Sequence, residues 1–294
     1  MALTNRNTFI RICLIPAFML LCMINQACAV DAPFAQGYSM GNLGTIAGTV
    51  ANRQPWTSAA RLSDTAGFGF AAHGTFYYDL MDNLPQSSIR RIDLGGWYAC
   101  RQLLIKGAVS YFNTCGIYAE QTGFLSAGTG VIPFVNISIS VYGTRYELLT
   151  ASYDKYAHTS AAAGFSIAIP FPLATIVSSI DNITLKNVDQ EGFNNLLKIK
   201  AAVHTSPNRF GAQGFVLQVE PQRTNSFTVA VGEEINLTKN CAVALAVSTN
   251  PLLVSAGVTI LWQNQAAWLA LVNHTVLGWS KGAGMAINFK KDSK

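Results

Sequence analysis

Charged residues are scarce in this chain. Only 12% of its residues are Asp, Glu, Lys or Arg, whereas soluble domains carry about 25%. Half of the residues are hydrophobic, and the mean hydropathy is positive at +0.27. The net charge of +5 is not gathered into a basic run, so we expect no nucleic acid among the partners. A chain this apolar must bury its apolar surface in a large core or place it in lipid.

Long apolar runs are also missing: after residue 30, the chain has no stretch of 18 consecutive apolar residues. Spanning helices are therefore not expected there. The N-terminus reads as a secretory signal, because Arg6 and Arg11 introduce the apolar run 12–23 and the small residues 27–29 offer a cleavage site. We predict that residues 1–29 form a cleaved signal peptide. An uncleaved membrane anchor is the alternative, although the apolar run is short for a bilayer.

Cysteine and histidine are too few, and too scattered, to suggest a disulfide framework or a metal centre. Cys100, Cys115 and Cys241 remain after the signal, and an odd number argues against a framework. Cys100 and Cys115 could face each other across a hairpin centred near Gly107, or both could be unpaired small residues. No spacing typical of metal ligands or of a catalytic group occurs. We therefore expect no enzyme and no cofactor.

A two-residue alternation of apolar and polar side chains is the strongest positive signal. It is clearest from Asn225 to Phe289, where Phe227, Val229 and Val231 alternate with smaller or polar residues. Such a period indicates strands with one apolar face, and short turns between them indicate an antiparallel meander. Weaker alternation extends back to Gly67 and gives about fourteen strands. A change of phase near Gly143 predicts a β-bulge there.

The same pattern divides the chain into regions. Residues 30–63 are irregular and rich in glycine, as a plug, a first strand or a mobile arm would be. Residues 64–289 contain the strands, and residues 290–294 form a polar tail. We find no repeat and no linker, so we predict one domain.

Alternation alone does not say whether the apolar face meets a core or lipid. Strands of 9–12 residues suit a tilted bilayer crossing, and the opposite face is rich in Gly, Ala, Ser and Thr. Aromatic residues also stand at strand ends, where a membrane-interface girdle would place them. We assign this role to Trp262, Trp268, Trp279 and Phe289. The predicted fold is therefore all-β, an antiparallel up-and-down transmembrane β-barrel of 12–14 strands, and the alternative is a soluble exported β-sandwich.

The connections suggest an orientation for such a barrel. If Phe289 ends at the periplasmic rim, the short turns 239–240 and 263–265 are periplasmic. The longer breaks then lie outside, at 79–90, 150–156, 185–192 and 221–225. Five cationic or basic side chains would share a lumen wall and attract an anionic group, or would simply form polar lumen lining. These are Arg101, Lys106, Lys198, Lys200 and His204.

Four C-terminal segments carry a family resemblance. They are the stretches 248–251 (STNP), 254–257 (VSAG), 274–280 (HTVLGWS) and 282–289, with a weaker echo at 39–42 (SMGN). The chain resembles the PorV/PorQ-type outer-membrane barrels, relatives of the FadL long-chain fatty acid transporters. It departs from their pattern at Thr275, where proline is commonest, and in the residues after Phe289.

The resemblance implies a non-catalytic barrel in the bacterial outer membrane, in contact with its lipid. Two roles follow from it. One is passage of hydrophobic or amphipathic small molecules, as in FadL-like proteins. The other is a component associated with type IX secretion, which would bind secreted proteins. A soluble exported β-sandwich with a structural or interaction role is the alternative from another class.

Overall fold

The computed structural model describes most of the chain from residue 67 onward. The described residues are 67–77, 89–100, 102–114, 118–132, 134–148, 156–186, 197–206, 210–221, 227–249, 252–275 and 278–290. The predicted signal peptide, the irregular segment 30–63, Arg101 and Cys115 lie outside them. Among the described residues, no helix is long and apolar enough to cross a membrane.

The described residues form fourteen β-strands. In chain order they are β1 (Gly67–Tyr77), β2 (Ile89–Cys100), β3 (Leu103–Thr114), β4 (Tyr118–Ile132), β5 (Val135–Leu148), β6 (Tyr156–Pro170), β7 (Ala174–Lys186), β8 (Lys198–Thr205), β9 (Gly211–Val219), β10 (Phe227–Asn236), β11 (Cys241–Ser248), β12 (Leu253–Trp262), β13 (Gln265–His274) and β14 (Gly278–Lys290).

Each strand pairs antiparallel with its neighbours in sequence, and β1 pairs with β14 to close the ring. The predicted antiparallel barrel of 12–14 strands is thus confirmed at fourteen, and the two-sheet sandwich is wrong. With about 4.8 Å between strands and a tilt near 40°, fourteen strands give a backbone radius of roughly 14 Å. A ring of that size encloses a lumen.

The two faces of the barrel differ as the alternation predicts. Large apolar side chains point outward and are exposed, among them Phe70, Ile139 and Leu269 at 61%, 61% and 65%. The inward positions carry many small and polar residues that are buried, such as Ala202, Ser166 and Thr144. The apolar surface therefore lies on the outside of a closed ring, as it does in a barrel that faces lipid.

Connections of different length collect at opposite rims. We call the rim formed by the start of β1 and the end of β14 the terminus-side rim, and the opposite one the loop-side rim. The turns after β10 and β12 lie at the terminus-side rim, and the breaks after β1, β5, β7 and β9 lie at the loop-side rim. The predicted grouping of short turns and long breaks is confirmed. Which rim faces the periplasm stays a prediction.

Two expectations from the sequence differ from the structure. No bulge occurs at Gly143, whose pairing with Gly123 is in unbroken register. The apolar pattern changes there because Tyr142 faces the lumen, so apolar residues occupy both faces. Cys100 is a free thiol at the terminus-side rim, where it pairs with Leu103. The hairpin is therefore not centred near Gly107, and Cys115, its expected partner, lies outside the described residues.

Candidate functional site in the lumen wall

Two tryptophans cover the seam that closes the barrel. Trp97 of β2 and Trp268 of β13 face the lumen and are 6% and 3% exposed. Each indole lies on a glycine of the adjacent strand, Trp97 on Gly69 and Trp268 on Gly284, and a Cβ at either glycine would overlap the ring. Glycine is needed at both positions because the large rings occupy the space of a side chain. The seam therefore presents two indoles to the lumen, with Leu104 among their apolar neighbours.

A histidine continues this surface toward the loop-side rim. His73 of β1 stacks beside Trp268, with ring centroids 6.3 Å apart and planes inclined by 22°. Its Nε2 shares a hydrogen bond of 2.7 Å with Oγ1 of Thr75. His73 is 3% exposed. A buried polar side chain therefore lies directly next to the apolar surface of the indoles.

A buried ion pair lies next to the histidine. Arg91 Nε donates to Oδ1 of Asp93 at 3.0 Å, and the Asp93 side chain is fully buried. Asp93 is directly opposite His73 in the β1–β2 register, and Ser110 also bonds to its carboxylate. A buried carboxylate is costly without such partners. The arrangement places a paired charge on the same stretch of wall as the indoles, with His73 between Asp93 and Trp268.

Four aromatic rings follow the lumen wall at the loop-side rim. Tyr77 contacts Phe112 edge-on at 5.9 Å, Phe112 contacts Tyr118 at 6.2 Å, and Tyr118 stacks on Tyr146 at 6.4 Å. Glu120 lies among them and accepts a hydrogen bond of 3.1 Å from Thr122. Rings at these separations stabilise one another by about 0.5–1.5 kcal/mol per pair. Together they form a continuous aromatic surface at one end of the lumen.

Nearer the terminus-side rim, the wall carries a second ring pair and a second charged group. Phe124 and Tyr142 contact each other at 5.1 Å between centroids. The Tyr142 hydroxyl donates to Asp181 at 3.5 Å, and Lys200 Nζ lies 3.3 Å from Asp181 Oδ2. Ser179 donates to the same carboxylate at 3.1 Å. Aromatic residues and paired charges thus alternate along the wall.

The structure separates the cationic residues that the sequence analysis grouped together. Lys198, Lys200 and His204 occupy inward positions of β8. Lys106 is inward and 1% exposed, but it lies on β3, five strands away around the ring. Arg101 is outside the described residues. Within the described part, Lys200 forms an ion pair with Asp181. These residues therefore do not form a single wall that would attract an anion.

Of the four aromatic residues assigned to the membrane interface, three point outward. Trp262, Trp279 and Phe289 are 68%, 48% and 44% exposed. The assignment of Trp268 is wrong, because its indole is in the lumen. The turn after Trp262 has two residues, so that Trp262 pairs with Gln265. The outward positions therefore change from even numbers in β12 to odd numbers in β13.

Sequence reasoning missed most of this wall. Four residues of this wall alternate with apolar residues in the sequence: His73, Arg91, Asp93 and Trp97. Alternation does not show which inward residues contact each other across strands. The usable signal is the register of each hairpin, which pairs Trp97 with Gly69 and Asp93 with His73. In the described strands, no group of three or more His, Cys, Asp or Glu residues is placed to hold a metal ion.

The chemistry of this wall is that of binding rather than of bond making. Flat apolar rings accept apolar or aromatic groups by stacking, and the neighbouring buried polar atoms accept or donate hydrogen bonds. Oδ2 of Asp93 and Nε1 of Trp268 have no hydrogen-bond partner among the described residues. Buried polar atoms are usually paired. A bound polar group is one way in which both would be satisfied.

Comparison with known proteins reveals likeness in structure only. No protein-family model matches the chain, and no curated protein matches it. Among solved structures, the chain is similar to the CymD monoaromatic hydrocarbon channel, with a TM-score of 0.68 and 10% identity over 91% of this chain and all of that one. It is also similar to the toluene transporter TbuX of Ralstonia pickettii, with a TM-score of 0.59 and 10% identity over 88% of this chain and 98% of that one. At this level of identity, the likeness shows the fold.

Proposed function

We propose that this barrel lies in the bacterial outer membrane and serves the passage of hydrophobic or amphipathic small molecules, in the manner of FadL-like channels. The lumen is the path, and the wall from β13 through β14 and β1 to β5 is its binding surface. The ligand's apolar part stacks on the aromatic rings, and its polar part, where it has one, lies near Arg91 and Asp93.

One observation carries this proposal: the two lumen-facing indoles, Trp97 and Trp268, share one stretch of the lumen wall with a buried ion pair, and His73 lies between Trp268 and Asp93. A lumen built for ions would be lined mainly by solvated charges. Here apolar rings and paired charges alternate, which suits a ligand with little charge of its own. The exposed apolar exterior supports the membrane location. The likeness to two channels for aromatic hydrocarbons agrees with this class of ligand.

The secretion-associated role implied by the PorV/PorQ resemblance stays a prediction. Neither of the two similar structures is described as a secretion component, and no feature of the described strands favours one. We therefore propose no second function.

Uptake by whole cells tests the proposal. Cells that produce the barrel are supplied with labelled toluene or with a labelled long-chain acid, and the initial rate is compared with that of cells lacking the barrel. We expect faster uptake of at least one of the two compounds. In the double variant Trp97→Ala/Trp268→Ala, we expect uptake to fall about tenfold, because losing both rings removes roughly 1.4 kcal/mol of binding.

A matched tryptophan on the outside provides the control. Trp262 is exposed on the outer face of β12, so Trp262→Ala should leave uptake unchanged at equal amounts of folded barrel. Uptake of both compounds that is no faster with the barrel than without it would contradict the proposed function. Equal loss in the inner and outer variants would contradict the role of the lumen wall.

A further inference from the structure

A groove crosses the outer wall of the barrel from β14 to β5. Its volume is about 1080 Å³, and its lining is mainly apolar. Phe70, Leu94, Val109 and Leu125 form its walls and are each more than half exposed. On a barrel that faces lipid, such a groove receives hydrocarbon chains.

The depth of the groove comes from glycines at outward positions between these walls. Gly96 pairs with Gly107, and Gly123 pairs with Gly143, in the registers of β2–β3 and β4–β5. A side chain at Gly143 would meet nothing within 4 Å, and one at Gly123 would meet only a backbone oxygen at 4.0 Å. The floor is therefore open space rather than a closely packed surface.

Basic side chains lie between the groove and the loop-side rim, beyond the residues that line the groove. Arg145 occupies the next outward position of β5 after Gly143, and its partner across the strands is Gln121. Arg90 lies outward near the loop-side end of β2 and is exposed. Lys281 is outward on β14, where it faces Phe76 of β1. Glu147 is the one acidic side chain among the described outward residues at this end of β14 to β5, and it lies 2.7 Å from Arg145.

We propose that this groove binds a membrane lipid with several acyl chains and a phosphorylated headgroup. The chains lie in the apolar groove, and the phosphates meet the cationic side chains on its loop side, Arg90, Arg145 and Lys281. Arg145 keeps 56% of its side chain exposed despite its ion pair, so it is available to a phosphate. Arg90 and Arg145 are three strands apart, and Arg90 lies two residues nearer the loop-side rim. Their Cα atoms are therefore about 16 Å apart, within reach of a headgroup with two separated phosphates.

Charge also argues against a second copy of the chain as the occupant. Symmetric membrane dimers of this kind have a two-fold axis along the membrane normal, so the loop-side rims of both copies would meet. The cations at the end of one groove would then face those of the other, and like charges brought together are unfavourable. An anionic lipid removes this repulsion. The proposal rests on the membrane location proposed above, and it does not depend on transport.

Native mass spectrometry of the barrel in mild detergent tests the proposal. The probe is lipid A with two phosphates, compared with its dephosphorylated form. We expect the phosphorylated lipid to bind at least tenfold more tightly. Filling the groove with Gly123→Leu/Gly143→Leu, or removing charge with Arg90→Gln/Arg145→Gln, should each weaken binding about tenfold.

Matched variants elsewhere on the barrel separate specific binding from general contact with lipid. Ala201→Leu enlarges an exposed outward residue of β8, and Lys239→Gln removes an exposed cation at the terminus-side rim; neither should alter binding. Equal binding by all variants, equal binding of the two lipids, or a dimer in which the groove is covered would each overturn the proposal. The whole-cell uptake measurement described under the proposed function shows separately whether that function fails.

Discussion

The two glycines under the lumen indoles are the residues on which this wall depends most directly. A methyl group at Gly69 would overlap the ring of Trp97 and the backbone oxygen of Ile287 in β14, whereas the three atoms nearest to one at Gly284 all belong to the ring of Trp268. A side chain can adjust more than the paired backbone of β14 can. Gly69→Ala and Gly284→Ala should therefore destabilise the barrel by different amounts.

We predict that Gly69→Ala destabilises the barrel by about 1–3 kcal/mol, as crowding in packed sites does, and that Gly284→Ala costs less. Urea unfolding in micelles, followed by indole fluorescence, measures both. Gly74→Ala is the matched control, because a side chain at this outward position of β1 meets nothing within 4 Å. Equal midpoints for Gly69→Ala and Gly74→Ala would show that the Trp97 ring is not held against β1.

At this scale the sequence predicts which side of a strand a residue occupies, but not what it meets. The alternation assigns Phe227 and Leu245 correctly to the outer face. It fails for Trp268. Whether odd-numbered or even-numbered residues of a strand point outward depends on the length of the preceding turn, and the pattern of apolar residues does not give that length. The contacts of Trp97 and His73 depend on register between strands, and register is a property of pairs of segments.

Among the strands, β7 contains the clearest local irregularity. The register between β6 and β7 shifts between Ala163 and Phe165, so Asp181 and Asn182 together oppose Gly164. Asn182 has a φ of 61°, in the left-handed region that asparagine tolerates better than branched residues. Asp181 is inward in phase with Ser179 and contacts Ser179 and Lys200, and the bulge changes the phase of the strand after it.

We predict that Asn182→Val lowers the free energy of unfolding by about 1–2 kcal/mol, the cost of a left-handed backbone for a residue with a side chain. Asn182→Gly keeps the backbone conformation accessible and should cost clearly less. Unfolding midpoints in urea compare the two variants. A Val variant as stable as the Gly variant would mean that the bulge is not maintained by this residue.

The sequence predicts the strands well and their irregularities poorly. The stretch of alternation predicted from Asn225 to Phe289 coincides with β10 to β14. The bulge expected at Gly143 is absent, because an aromatic residue on the lumen face imitates a change of phase. The bulge at Asn182 was not expected. Apolar residues on both faces hide the signal that a real bulge would give.

For the whole molecule, closure between β1 and β14 decides whether the barrel exists. Gly67 and Lys290 are register partners, and the pairing continues to Phe76 and Lys281. Without β14, the strands β1 and β13 would each expose an unpaired edge, which is not tolerated in lipid.

We predict that the full chain fractionates with outer membranes and that unboiled samples migrate differently from boiled samples on gels. A chain truncated after residue 277, which lacks β14, should show no such difference. A full chain that is soluble without detergent would contradict the membrane location. A truncated chain with heat-modifiable migration would show that closure by β14 is dispensable.

The number of strands and the closed fold were accessible from the sequence, since strand length and alternation together suggest a barrel in lipid. The position of the cationic residues was not, because Lys106 and Lys200 are far apart in sequence and their relative positions depend on the size of the ring. Only a complete set of registers places β3 and β8 on different parts of the wall.

Every strand pairing among the described residues joins consecutive strands, except the seam between β1 and β14. The hairpins bring together residues close in the chain, so they form quickly, whereas the seam must join segments more than two hundred residues apart. The entropy of closing a loop grows only as about (3/2)RT ln n, but long-range pairing slows folding. The rate at which this barrel assembles is therefore set by how its first and last strands find each other.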